Sequence, residues 1–105
     1  MFLARVEGSV VSTKKDASMS GRKLLLLRPQ LVDDKDPTRF RGGANTIVAV
    51  DSVGAGLGEM VLFCQGSSAR LAPNLKDAPV DAVVIGIVDT VDVLGRQIYT
   101  NTSQS

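Results

Sequence analysis

Hydrophobic and polar positions alternate strongly at the start of the chain. From Phe2 to Thr13, Phe2, Ala4, Val6, Gly8 and Val10 fall on one face, and Leu3, Arg5, Glu7, Ser9 and Thr13 mostly on the other. A period of two is the mark of a half-buried strand. Residues 14–23 (KKDASMSGRK) are small, polar or glycine and predict a loop, after which Leu24 to Leu27 opens a second strand. Pro29 marks an edge or exit, because a proline nitrogen cannot donate to a ladder. The polar stretch from Val32 to Asn45, with Pro37 and the pair Gly42-Gly43, predicts a surface loop longer than a tight turn.

A third strand, Thr46 to Val53, and a fourth, Glu59 to Cys64, flank the link Gly54-Ala55-Gly56-Leu57-Gly58. Ser67 to Leu71 predicts one short helical turn before Pro73, with loop continuing to Pro79. A fifth strand is expected from about Ala82 to Val93, then a turn at Gly95 and a short terminal strand over Gln97 to Thr100, and a frayed tail after it. The expected organisation is a single domain over residues 1–95, followed by the terminal strand and tail over 96–105. Short strands at this spacing, without a long helix, predict an all-β fold. A small closed five-stranded barrel is favoured over a sandwich, because closure removes edges that pair indiscriminately.

The run Ala82 to Val91 is apolar on both alternating faces: Val83, Ile85 and Ile87 on one side, Ala82, Val84, Gly86 and Val88 on the other. One face fills the barrel. The other needs cover, either from a second subunit, which makes Val84 and Val88 candidate interface residues, or from the subunit's own loops. Leu24 to Leu27 poses the same choice.

Composition narrows the function. The chain has 105 residues, 44% hydrophobic and 22% charged, which suits one folded domain with a modest core. A net charge of +1 supplies no field to gather phosphate or anionic lipid, so neither nucleic acid nor membrane is an expected partner. Apolar runs fall short of a membrane span, and Arg5 and Glu7 interrupt the start, so neither signal peptide nor membrane segment is expected. The single cysteine, Cys64, lies in an apolar run and reads as an inert buried thiol of a cytosolic protein.

The chain contains no histidine, which removes His-based triads, histidine metal sites and imidazole acid–base chemistry. Asp33, Asp34 and Asp36 lack the glycine and the bidentate glutamate spacing of a calcium loop. Gly54, Gly56 and Gly58 resemble a dinucleotide loop, but the third glycine is a residue early and a strand pattern follows where a helix is required. A structural turn is the better reading. Ser67 and Ser68 have no base to activate them and are placed as caps of the short turn, with Arg70 as a partner for carboxylates or carbonyls within the subunit or across an interface. Lys14 and Lys15, with Arg22 and Lys23, form a basic loop that is either solvated or a docking patch. Neither catalytic residues nor a metal or cofactor site are expected.

Five segments in order carry a resemblance: Gly8 to Lys14 (GSVVSTK), Gly21 with Lys23 to Leu26, Asp51 to Glu59 (DSVGAGLGE), Gly66 to Arg70 (GSSAR), and Pro79 to Ala82 with Gly86 to Val91. Their order and spacing resemble the EutN/CcmL family of bacterial microcompartment vertex proteins over nearly the whole chain. The resemblance implies an OB-like five-stranded barrel forming a cyclic homopentamer that caps the corners of a polyhedral shell among hexameric shell proteins, with the glycine link and GSSAR as structural or interface elements. It implies a structural role in the bacterial cytoplasm and no enzyme activity. The competing reading is an OB-fold binder of single-stranded nucleic acid. It is weakened because Phe2, Phe40, Phe63 and Tyr99 are not interleaved with the basic cluster.

Overall fold

The computed structural model describes residues 1–12, 17, 21–66 and 81–101. The strands are β1 (Phe2–Val10), β2 (Leu24–Val32), β3 (Phe40–Gly42), β4 (Ile47–Asp51), β5 (Met60–Gln65), β6 (Ala82–Ile87), β7 (Thr90–Val93) and β8 (Arg96–Thr100). The main sheet runs β1-β5-β6-β4-β2-β3, and β1 also pairs with β2. That extra pairing closes β1, β2, β4, β6 and β5 into a ring, so the expected five-stranded barrel is present. Every ladder of the ring is antiparallel except β4 with β6, which gives the strand order of an OB-like barrel.

Alternation selects the core. Ala4 and Val6 of β1, Leu25 and Leu27 of β2, Ala49 of β4, Val61 and Phe63 of β5, and Val84 of β6 converge inside, each no more than 2% exposed. Burying a Leu, Val or Phe side chain contributes about 1.5–3 kcal/mol. The interior therefore rests on aliphatic side chains around a single ring, Phe63. Two bulges, between Val6 and Gly8 and between Leu62 and Phe63, bend the strands as closure requires.

Three expectations about the strands need correction. Residues 32–45 are not simply loop: β3 pairs with the far end of β2, with Val32 opposite Phe40 and Gln30 opposite Gly42. Pro29 marks an edge, as one of the two expected readings had it, but it is not an exit: β2 continues to Val32. It sits where β2 passes from β4, paired through Leu27, to β3, paired from Gln30, so its missing donor costs no bond on that side, while its carbonyl accepts from the Gly43 N–H at 2.8 Å. The long fifth strand is two strands. The Val88 N–H makes the last barrel bond, to the Met60 carbonyl at 2.8 Å, and the chain then leaves as the hairpin β7–β8. A boundary at residues 95 and 96 would cut that hairpin at its turn. The helical turn expected at Ser67 to Leu71 and the tail after Asn101 lie outside the described residues.

The hairpin rests on the barrel through a few contacts. The Tyr99 hydroxyl accepts the Met60 N–H at 3.3 Å, Asn101 donates its side-chain amide to Glu59 at 3.3 Å, and the Arg5 guanidinium lies 5.4 Å from the centre of the Tyr99 ring. With Val93 opposite Arg96, its turn has two residues, Leu94 and Gly95, at φ 53° and 80°. Positive φ at both places is the signature of a type I′ turn, which favours Asn-Gly.

Candidate functional site

Lys14, Lys15, Ser67, Ser68 and Arg70 lie outside the described residues. Val84 and Val88 are placed, and neither offers area to a neighbour. Val84 is 0% exposed inside the barrel and Val88 is 9% exposed where the chain leaves it, so their assignment to an interface is corrected. The second face of β6 is closed too. Val83 and its β4 neighbour Val50 alternate out of the core cluster, yet they are only 0% and 4% exposed. Over Ala82 to Val84 the subunit covers its own strand, and the reading that this face needs a partner fails there.

The uncovered apolar surface lies elsewhere. Leu24 and Leu26 of β2 point away from the core that takes Leu25 and Leu27, and both are half-buried. Leu26 is paired with Val48 of β4, which is 46% exposed. A second patch joins Leu3 of β1 to Leu62 of β5; on the opposite face of β1, Phe2 is 51% exposed with its ring 5.5 Å from that of the core residue Phe63. Cys64 is half-buried on β5.

The glycine link, residues 52–58, is built by two carboxylates. Asp51 ends β4 with its side chain 2% exposed and accepts the N–H groups of Val53, Gly54 and Ala55 at 3.0, 3.1 and 3.0 Å. Lys23 joins them, its ammonium 3.9 Å from Asp51 and bonded to the Ala55 carbonyl at 3.2 Å. At the other end Glu59 accepts the Gly56 N–H at 2.6 Å. Gly54 and Gly58 stand at φ 80° and 85°, where a side chain is strained, and a Cβ on Gly56 would come within 3.3 Å of the Glu59 carboxylate. Residues 52–56 and 58 spend their N–H groups on the chain itself, so the row of free donors a pyrophosphate needs is not available. It holds Ala55 fully buried and Leu57 76% exposed. Asp51 and Glu59 bound the segment DSVGAGLGE that carries the resemblance, but neither carboxylate was assigned a role there; the available signal was an acidic residue at each end of a glycine run.

The other acidic group is equally local. Asp33 accepts the Lys35 N–H at 2.9 Å and meets Arg39 at 3.4 Å, while Asp36 accepts the Thr38 N–H at 3.1 Å and the Thr38 hydroxyl. These bonds, led by the Lys35 N–H for Asp33 and the Thr38 hydroxyl for Asp36, hold both carboxyls below their ordinary pKa. The carboxylates shape the β2–β3 turn. The aromatic rings offer no stacking row: Phe63 is 1% exposed, and Tyr99 is engaged by Arg5 and Met60.

A closed OB-like barrel with uncovered apolar patches and loops tied by their own carboxylates defines a subunit shaped for association. The chain belongs to the family described as ethanolamine utilisation protein EutN/carboxysome, whose model matches residues 1–89. It is similar to the carboxysome shell vertex protein CcmL of Gloeobacter violaceus, 48% identical over 99% of this chain and 98% of the relative. It is also similar to the microcompartment shell vertex protein PduN of Salmonella typhimurium, 50% identical over 87% of this chain and 98% of the relative. The solved Gloeobacter violaceus CcmL structure superposes with a TM-score of 0.83, covering 98% of this chain and all of that one. GrpN of Rhodospirillum rubrum, a pentameric microcompartment shell protein, superposes with a TM-score of 0.73 at 44% identity, over 90% of this chain and 99% of that one.

Proposed function

We propose that this chain forms a homopentamer that caps the vertices of a bacterial microcompartment shell in the cytoplasm, as a structural and non-catalytic component. The observation that carries the reading is the uncovered Leu26–Val48 face on a closed barrel whose family relatives are shell vertex proteins. In a cyclic ring one face of each subunit meets a different face of the next. The Leu26–Val48 face supplies one of the two. Hexameric shell proteins are the neighbours such a corner requires, because a flat hexagonal sheet closes only around five-fold units. Lys14, Lys15, Ser67, Ser68 and Arg70 remain candidates for contacts at subunit or shell boundaries.

Native mass spectrometry tests the assembly directly. The expected species at micromolar concentration is five chains, and a stable monomer overturns the reading. Replacing Val48 by Asp should shift the population toward monomer with the barrel's far-ultraviolet spectrum unchanged, since Val48 is 46% exposed within the subunit.

A further inference from the structure

The barrel and the hairpin β7–β8 are held by different kinds of contact. The barrel strands share a core whose side chains are 0–2% exposed, whereas every residue from Asp89 to Asn101 is at least partly exposed. The Val88 N–H makes the last barrel bond, 2.8 Å to the Met60 carbonyl, and the exposed Asp89 follows it. The N–H of the same Met60 goes to the hairpin instead, donating to the Tyr99 hydroxyl at 3.3 Å. Asn101 adds its 3.3 Å bond to Glu59, and the Arg5 guanidinium lies over the Tyr99 ring. Between the hairpin and the glycine link runs an open groove of ≈ 460 Å³, whose walls include Arg5, Leu57, Gly58, Tyr99 and Asn101. Water entering that groove can take over each of these bonds as it breaks, so each holds the hairpin only weakly.

We propose that residues 89–101 form a strap that unfolds from the barrel as one unit while the barrel stays closed. A two-stranded hairpin on its own is marginal in water, so once the bonds at Tyr99 and Asn101 open, its ladder has little else to hold it. Leu94 weakens the ladder further: it stands at φ 53° in a two-residue turn that favours Asn, with its side chain 85% exposed. Elements with few buried apolar contacts and exposed backbone bonds occupy the low-stability end of a fold. The hinge is the step from Val88, 9% exposed, to the exposed Asp89. Glu59 ties the strap to the glycine link, because its Oε2 accepts from Asn101 and its Oε1 from the Gly56 N–H. Opening therefore releases three groups on the barrel at once: the Met60 N–H, one Glu59 oxygen and the Arg5 guanidinium. The inference concerns a single subunit and does not rest on the pentamer proposed above.

Residue-resolved amide hydrogen exchange on the intact protein tests the strap. Met60, which donates to Tyr99, and Asn101, which donates to the Asp89 carbonyl at 2.7 Å, report the strap. Val88, and Val6, which donates to the Glu59 carbonyl at 2.9 Å, report the barrel. Met60 and Asn101 should share one protection factor, at least about tenfold below that of Val88 and Val6. One protection factor for all four overturns the proposal, as does Met60 exchanging with the barrel pair. Two variants then move the strap in opposite directions. Tyr99→Phe removes the acceptor hydroxyl, and Asn101 should exchange about tenfold faster with Val88 and Val6 unchanged. Leu94→Asn relieves the turn at the far end of the hairpin, and should slow Met60 and Asn101 alike by about fivefold. A Met60 rate unmoved by Leu94→Asn would show that the turn and the contacts at Tyr99 open separately, and Val88 or Val6 moving with the strap would make hairpin and barrel one cooperative unit; either result overturns the proposal.

Discussion

The glycine link and the hairpin turn both need left-handed backbone, and they meet that need in opposite ways. In the link, Gly54 and Gly58 occupy the positive-φ positions, and Asp51 and Glu59 take up N–H groups of the segment between them. In the turn, a leucine occupies one of the two positive-φ positions and its side chain stands 85% exposed. A left-handed non-glycine residue costs about 1–2 kcal/mol. Where backbone demand and residue choice agree, the segment serves the subunit's own fold. Where they disagree, as at Leu94, the backbone strain stands without packing inside the subunit to offset it.

The comparison breaks most visibly at Asp51. Its carboxylate, 2% exposed, accepts three N–H groups, and Ala in its place leaves those donors without their acceptor beside a buried Ala55. An unsatisfied buried donor costs about 1–3 kcal/mol. The Val53 and Gly54 donors reach water once freed and only the Ala55 donor is part-buried, so Asp51→Ala should lower stability by about 2 kcal/mol in urea unfolding at unchanged m-value. A loss below about 0.5 kcal/mol, the range of an ordinary surface substitution, would show that the link does not depend on its carboxylate.

A smaller effect isolates the backbone demand itself. Gly58 stands at φ 85° with nothing within 4 Å of a Cβ built there. Gly58→Ala therefore tests conformational strain without steric overlap, and should cost about 1–2 kcal/mol. Gly8 serves as the control: it has no positive φ, and its Cβ also meets nothing within 4 Å. Gly8→Ala should be neutral or slightly stabilising, since Ala narrows the unfolded ensemble. Equal costs at the two positions would remove the strain argument for the link, and with it the contrast to Leu94.

Much of this was legible in the sequence because the barrel follows alternation closely. The period of two in Phe2 to Val10 put Ala4 and Val6 inside, and the aliphatic runs at Leu24, Met60 and Ala82 became ring strands. What escaped was decided by pairing partners. β3 contains one apolar residue, Phe40, and is a strand only because β2 offers it an edge beyond Pro29. Val84 and Val83 sit on opposite faces of one strand and both are buried, and no periodicity reveals that the second face is covered within the subunit. The role of Asp51 was hidden for the same kind of reason: a carboxylate three residues before a glycine is common in turns, and only the fold shows it 2% exposed.

The β2–β3 turn lies between the two extremes, tied by carboxylates as the link is but open to solvent as the hairpin turn is, and its effect should be the smallest. Asp33 is held below its ordinary pKa first by the Lys35 N–H and then by Arg39, and Asp36 first by the Thr38 hydroxyl and then by the Thr38 N–H. A carboxyl with a lowered folded-state pKa stabilises the fold above its unfolded value of about 3.9 and loses that contribution as pH falls through the lower value. In that window the unfolded chain binds more protons, so stability must rise with pH. Carbon chemical-shift titration should therefore place both carboxyls below the model-peptide value, and the double variant Asp33→Asn, Asp36→Asn should show a shallower loss of melting temperature between about pH 4.5 and 2.5 than the parent chain. Two titrations at the ordinary value, with parallel melting curves, would mean that exposure to water cancels these bonds. Side-chain ties would then order a loop only where the fold also buries them, as it buries Asp51.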